Sequence, residues 1–300
     1  MAFNREGNSS GAADQPPAKL VAQGFALVKM ENDSQQMMAL QNPRDEKKVF
    51  DGAIQELRLN PEHAARSYYS IPHKDRSGGQ EKTVFVEGPG IKAAMSLSRR
   101  WGNCANSGRI VDDQNDFLVV QGVFLDYETN FRTLRDVTVQ KKARKKDGTY
   151  YTLPVDRLQM AIQAGISKAV RNAILASLPV GVIDAYFREA KKLAIAGPTA
   201  GGAKAKPIAE RLRDARAKFK KRGVDDRVMD LYIRNRIADN DGEWKDEDVL
   251  LHLIGVWNAL EDNQTTIEDV FRSESIEVHD ADRPQEKASG ASTDSDLFKK

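Results

Sequence analysis

The chain reads as an α+β protein, an antiparallel β-sheet with packed helices followed by a small C-terminal helical domain. Three observations predict this class. Between Phe117 and Gln140, two alternating runs flank the polar break Glu128-Thr129-Asn130. Phe117, Val119, Val123, Leu125 and Tyr127 share one face at period two, as do Phe131, Thr133, Val137 and Val139 after the break, which is the pattern of an antiparallel hairpin. The following PVDRLQMAIQAGISKAVRNAILASLP is a long amphipathic helix opened by Pro154 and closed before Pro179, with Leu158, Ile162, Ile166, Ala169 and Ala173 as its buried stripe. Beyond the Gly/Ala/Lys-rich stretch 197–207, residues 208–272 hold three short helix-period segments.

Taken in order, residues 1–31 begin Gly/Ser/Asn/Pro-rich and are expected to be disordered. The α+β core is expected over 32–196. It opens with two amphipathic helices in 32–60, broken near Asn42-Pro43, in which Met37 and Met38 fill the core. Ser67–Ile71 reads as a strand ending at Pro72, and Lys82–Glu87 as its partner across Ser77-Gly78-Gly79. Gly88-Pro89-Gly90 starts the helix IKAAMSLSRRW, ended by Gly102, with Ile91, Ala94, Met95 and Trp101 inward. A strand begins around Arg109–Val111, and the central hairpin follows. After the long helix, VGVIDAYFREAKKLAI is another, and 197–207 is a linker. In the C-terminal domain, Val249, Leu250, Leu253, Val256, Trp257 and Leu260 form the apolar face of DEDVLLHLIGVWNAL, and Thr265 or Thr266 caps a final turn. Residues 273–300 form an acidic, disordered tail.

Charge is strongly partitioned behind a net of +2. Residues 132–222 carry 22 Lys+Arg against 7 Asp+Glu, a difference of +15, and residues 224–300 carry 9 against 20, a difference of −11. The middle of the chain attracts phosphates and its C-terminal part repels them. The densest point is Lys141, Lys142, Arg144, Lys145 and Lys146, ahead of an Asp-Gly turn and Tyr150-Tyr151. Arg157, Lys168 and Arg171 fall roughly on one line of the long helix, and Arg99 and Arg100 end the earlier one. Clustered cations release counterions on binding phosphates. Tyr150 and Tyr151, with Trp101, are candidates for stacking unpaired bases. A solvated lysine loop is the plainer reading, but the gathering of these cations around one sheet favours a polyanion site.

Other chemistries are poorly served. His63, His73, His252 and His279 are scattered without metal-ligand or nucleophile-base spacing. Asp112, Asp113 and Asp116 are a candidate carboxylate cluster for a metal, with a polar turn the better reading. Gly88-x-Gly90-x-x-Ala93 mimics a dinucleotide fingerprint, but Pro89 removes an amide from the turn and antiparallel strands follow. The 197–207 stretch lacks the Lys-Ser/Thr end of a P-loop. No enzyme activity, cofactor or metal is therefore expected. The single cysteine, Cys104, and the absence of a signal peptide or an apolar run of about 18 residues point to a reducing, cytoplasmic setting with no membrane contact.

Three stretches resemble the phage single-strand annealing proteins of the RecT/Redβ type: EGPGIKAAMSLSRRWGN; the hairpin leading into QMAIQAGISKAVRNAILASLP; and FKKRGVDDRVMDLYI with EDVLLHLIGVWNALEDNQTTIEDVF. Together they span about residues 65–271. The resemblance implies a β-β-β-α core and an ATP-independent protein that coats single-stranded DNA and pairs it with its complement. It further implies homo-oligomeric rings or helical filaments, and a C-terminal domain that contacts a phage exonuclease or the host single-strand-binding protein. Its nucleic-acid groove maps onto Lys141, Lys142, Arg144, Lys145, Lys146, Lys168 and Arg171. The alternatives are a dinucleotide-binding oxidoreductase built on the Gly88-Pro89-Gly90 turn, or a structural phage protein.

Overall fold

The computed structural model describes residues 18–75, 82–144, 148–197, 206–237 and 244–272, with side chains for 29–71, 85–143, 148–197, 206–235, 237 and 244–272. The architecture is mixed α+β, with helices around small antiparallel sheets. The chain divides into two compact units, one formed by 1–56 with 94–184 and the other by 57–93 with 185–300.

The first unit is built on a three-stranded antiparallel sheet in the order β3 (Cys104–Asp113), β4 (Phe117–Asp126), β5 (Phe131–Gln140). Register runs from Phe117↔Gln140 to Asp126↔Phe131 between β4 and β5, and β3 meets β4 with a shift between Ile110 and Asp112. Asn130, at φ 54°, closes the hairpin in the left-handed region that asparagine tolerates. Helix α5 (Val155–Leu175) lies across one face. Leu118, Val120, Val139 and Ala169 make the shared core, with Ile162 and Ile166 against it. The expected helical stripe faces inward, fully buried at Ala169 and Ala173 and half-buried at Leu158, Ile162 and Ile166.

Both faces of β4 alternate with apolar residues, and the helix takes the even set: Leu118, Val120, Gly122 and Phe124 are buried, while Phe117, Val119, Val123 and Leu125 are half-buried on the other face. Gly122 decides this. A Cβ there would lie 2.2 Å from the Ala169 carbonyl, so helix and strand backbones touch only because glycine leaves room.

Helix α1 (Ala18–Gln41) begins well before residue 32, so 18–31 are helical where disorder is expected from the sequence; 1–17 lie outside the described residues. Met37 and Met38, expected as core filler, are 61% and 60% exposed, and Ala39 between Met38 and Leu40 is the buried residue of that turn. Helix α2 (Glu46–Leu59) starts after the expected break, its first amides bonded to Asp45 Oδ1. Two more short elements complete the N-terminal half: α3 (Pro61–Ala65) and α4 (Ile91–Trp101). On α4, Met95 is exposed and Ser96 and Ser98 are buried instead. Their hydroxyls are bonded, Ser96 donating to Glu56 at 2.7 Å, and satisfied small polar residues pack as apolar ones do.

In the second unit the hairpin β1 (Tyr68–Asp75) and β2 (Lys82–Pro89) packs on α9 (Asp246–Glu261). A lone two-stranded hairpin is marginal in water. Here Asn258 Nδ2 donates to the carbonyls of Ala65 and Tyr68, both at 2.7 Å, and Tyr68 donates to Leu251 O at 2.9 Å. The hairpin thus groups with the C-terminal helices and not with the first unit's sheet, because α9 covers the face it cannot bury alone. Residues 198–205 lie outside the described ones. Around α9 stand α7 (Ile208–Lys221) and α8 (Asp226–Tyr232), the last running into a π-type turn at Ile233–Ile237, and Phe187 of α6 (Val180–Ala196) sits edge-on to Tyr68 with ring centroids 6.3 Å apart. Phe219, Met229, Tyr232, Leu253, Val256 and Phe271 are central to their core. Thr266 Oγ1 accepts the Asp269 amide at 3.2 Å, the expected cap of the final turn.

Candidate nucleic-acid interface

The basic stretch leaves the end of β5 and returns through a ribbon, β6 (Lys142–Arg144) paired with β7 (Tyr150–Thr152). Its register, Lys142↔Thr152 and Arg144↔Tyr150, sets the strand that carries Lys142 against the one that carries the two tyrosines. The Lys141 amide donates to Asp116 O and the Leu153 amide to Lys141 O, both at 2.8 Å, so one end of the sheet, the ribbon and the start of α5 are joined. Lys141 and Lys142 lie where the ribbon leaves the sheet, Tyr150 is opposite Arg144 on its return strand, and Arg157 is in the first turn of the helix that follows. Tyr150 is 68% exposed and Arg157 is exposed; Tyr151 is half-buried. The side chain of Arg144 and the whole of Lys145 and Lys146 fall outside the described residues.

Two carboxylates occupy the same end. Lys141 forms an ion pair with Asp113, and Lys142 with Asp116. These aspartates are thus counterions; among the described residues no group of three or more His, Cys, Asp or Glu is placed to hold a metal. Such exposed pairs contribute about 0–1 kcal/mol, and a phosphate can displace them.

The other cations are not gathered there. Lys168 is exposed midway along α5. Arg171, expected on the same line, is 6% exposed, with Nε and Nη2 donating to Asn172 Oδ1 at 3.2 and 3.1 Å. Three residues beyond Lys168 the helix has turned by about 300°, which carries Arg171 beside the buried Val170 and Ile174. Arg99 and Arg100 sit on the last turn of α4, which ends at Trp101, and the Trp101 indole donates to Asp126 Oδ2 at 3.0 Å. Asp126 is at the opposite end of β4, roughly 30 Å from Phe117 at a strand's rise per residue. Arg100 is also engaged, bonded to Glu56 at 2.6 Å. Arg171, Arg99 and Arg100 therefore lie apart from the basic ribbon. Trp101, proposed for stacking on bases, is 7% exposed with the Arg44 guanidinium 4.4 Å from its ring centroid, and is closed to a base.

A buried polar node at that far end went unseen in the sequence. Arg44 bonds Asp126 at 2.6 Å and Glu128 at 2.9 Å, and Asn103 donates to Glu128 at 2.5 Å. Burial pushes the Glu128 carboxyl up, but the hydrogen bonds from Asn103 and Arg44 outweigh it and hold it below the usual range. Arg44 Nη1 is buried without a partner. The node pins the hairpin turn to the α1–α2 connection and is structural. Cys104 beside it has its thiol pushed up by burial, which leaves it a poor nucleophile.

The dinucleotide alternative finds no cradle. At Gly88 an added Cβ would lie 3.0 Å from the Tyr69 hydroxyl, and the Gly90 amide already donates to Ser67 O at 2.8 Å. The adjoining strands are antiparallel, where a dinucleotide fold needs parallel ones. Among the described residues no helix is long and apolar enough to cross a membrane.

Comparison with protein-family models, with curated proteins and with solved structures finds no match.

Proposed function

We propose that this protein binds single-stranded DNA and anneals it to its complement without ATP, in phage homologous recombination in the cytoplasm. The observation that carries the reading is the β6–β7 ribbon. It follows Lys141 and carries Lys142 and an exposed Tyr150 at the sheet end from which α5 and Arg157 start, in a stretch whose sequence has five cations in six residues. Cations neutralise phosphates, and an exposed ring stacks on bases that are already unpaired. In this reading, copies of the chain assemble on DNA as a ring or helical filament and their basic ribbons join into one groove. A strand lies in it with its phosphates neutralised and base edges exposed. Pairing is then accelerated by alignment and by the removal of strand-strand repulsion, and no covalent bond changes. Residues 208–272 serve a phage exonuclease or the host single-strand-binding protein.

The test is annealing of two complementary oligonucleotides without nucleotide triphosphate, comparing the wild type with K141Q/K142Q/K145Q/K146Q. Each phosphate contact on a single strand contributes about 0.7 to the slope of log affinity against log salt. The quadruple variant should lose up to about 2.8 of that slope, together with annealing. Unchanged affinity and slope would remove the ribbon as the site.

A further inference from the structure

The second unit contains an open cleft of about 680 Å³ along α7 and α9. Its floor is apolar, formed by Phe219, Leu250, Leu253, Ile254 and Trp257. Trp257 is half-buried, with the Phe219 ring edge-on at 5.4 Å and the Arg222 guanidinium 4.6 Å from its centroid. The rim carries five cations and three carboxylates. Lys206 is satisfied by Glu210 and Asp214, and Lys92 by Asp262. Among the described residues, no carboxylate pairs with Arg66, Arg211 or Lys218. Arg211 donates to the carbonyls of Ala194 and Ile195, which leaves its charge uncancelled. An apolar floor under uncompensated cations suits a peptide with both acidic and apolar side chains. It suits a phosphate backbone poorly, because the apolar floor offers phosphate nothing.

We propose that the occupant is this chain's own segment 273–282, SESIEVHDAD. It carries Glu274, Glu277, Asp280 and Asp282 with Ile276 and Val278, and no Lys or Arg. The residues just before it place it within reach: Phe271 is buried, and its ring packs 5.7 Å from that of Phe219, in the cleft floor. Ten extended residues span up to about 33 Å, and so short a tether supplies an effective concentration on the order of millimolar. A peptide of weak intrinsic affinity is therefore held in place, and a partner with a similar acidic-apolar segment must displace it. Neither the cleft nor this occupant depends on the annealing reading.

The chain has three tryptophans, so the Trp257 indole resonance in the 15N-labelled full chain is identified with W257F. Tail neutralisation, E274Q/E277Q/D280N/D282N, should shift the Trp257 resonance and leave that of buried Trp101 in place. Synthetic peptide 273–282 added to the neutralised chain should return Trp257 to its wild-type position. Arg66→Glu or Lys218→Glu should weaken that titration on the order of tenfold or more, because a like-charge contact costs over a kcal/mol. A Trp257 resonance indifferent to both tail neutralisation and millimolar peptide overturns the proposal. So does a shift produced by a thymidine oligonucleotide and not by the peptide, which would make the cleft a nucleic-acid surface.

Discussion

Single residues set how tightly the ribbon can hold an anion. Lys141 and Lys142 already have carboxylate partners in Asp113 and Asp116, and a strand must exchange those partners for phosphate. Each exposed pair contributes about 0.2–1 kcal/mol. Asp113→Asn with Asp116→Asn should therefore tighten oligonucleotide binding roughly two- to thirty-fold at low salt, read by fluorescence anisotropy. Unchanged affinity would mean that these two lysines do not touch phosphate. The nearness of these groups was legible in principle but the partners were not: Phe117 lies opposite Gln140, so the register continued by one residue sets Asp116 against Lys141, whereas Asp116 pairs with Lys142 and Lys141 with Asp113. His252 was less legible. Its helical position is plain, but its partners come from distant parts of the chain, Ser70 Oγ 2.9 Å from Nδ1 and Tyr232 OH 2.8 Å from Nε2. Burial, with a smaller contribution from Lys191, depresses its pKa to about 3. The unfolded chain takes up a proton near pH 6.5 that the folded chain refuses, so stability falls as pH drops from about 6.5 towards 3. Between pH 7 and 5 that loss is about 2 kcal/mol. His252→Gln should flatten this part of the pH profile in urea titrations, whatever it costs at pH 7.

Elements are where the sequence speaks most clearly and where its silences have definite causes. The β4–β5 hairpin, α5 and α9 follow from periodicity, because each buries one face against a neighbour and its apolar residues recur at the period of that face. Periodicity cannot choose between two apolar faces of one strand. The choice on β4 rests on Gly122, whose missing side chain admits the α5 backbone. Gly122→Ala should cost about 1–3 kcal/mol or more, since the obstructing atoms are main-chain and cannot swing aside. Gly181→Ala is the control: a Cβ there meets nothing within 4 Å, and the change should be neutral or stabilising by up to ~1 kcal/mol. Equal urea midpoints for the two variants would show that the close approach is unimportant. Arg171 failed for a related reason. A helical wheel placed it near Lys168, yet the same wheel places it next to Val170 and Ile174, and the sheet took that side. The Arg44 node lay beyond any local pattern, its carboxylates standing 82 and 84 residues away.

For the whole molecule, the expected domain boundary followed composition, whereas the folded units follow burial. The hairpin of residues 68–89 precedes the first unit's sheet in sequence but is covered by α9, near the other end of the chain. Charge follows the chain in a different way: the +15 of 132–222 is spread over both units, whereas the −11 of 224–300 lies wholly in the second. The field of the basic segment attracts a polyanion but does not by itself align two strands. Alignment in the proposed mechanism requires basic ribbons from neighbouring copies to act on one strand, and this has a thermodynamic signature. Once an oligonucleotide is long enough to reach a second copy, the second contact becomes intramolecular, and avidity rises by roughly 10²–10⁴ without any new kind of contact. A ladder of thymidine oligonucleotides at fixed salt should thus show affinity climbing in a step at a threshold length, with sedimentation detecting assemblies only above it. The salt slope should roughly double across the step, because twice as many phosphates are neutralised. Affinity rising smoothly in proportion to length, with one protomer bound throughout, would leave a single-stranded DNA-binding protein but remove the shared groove on which annealing depends.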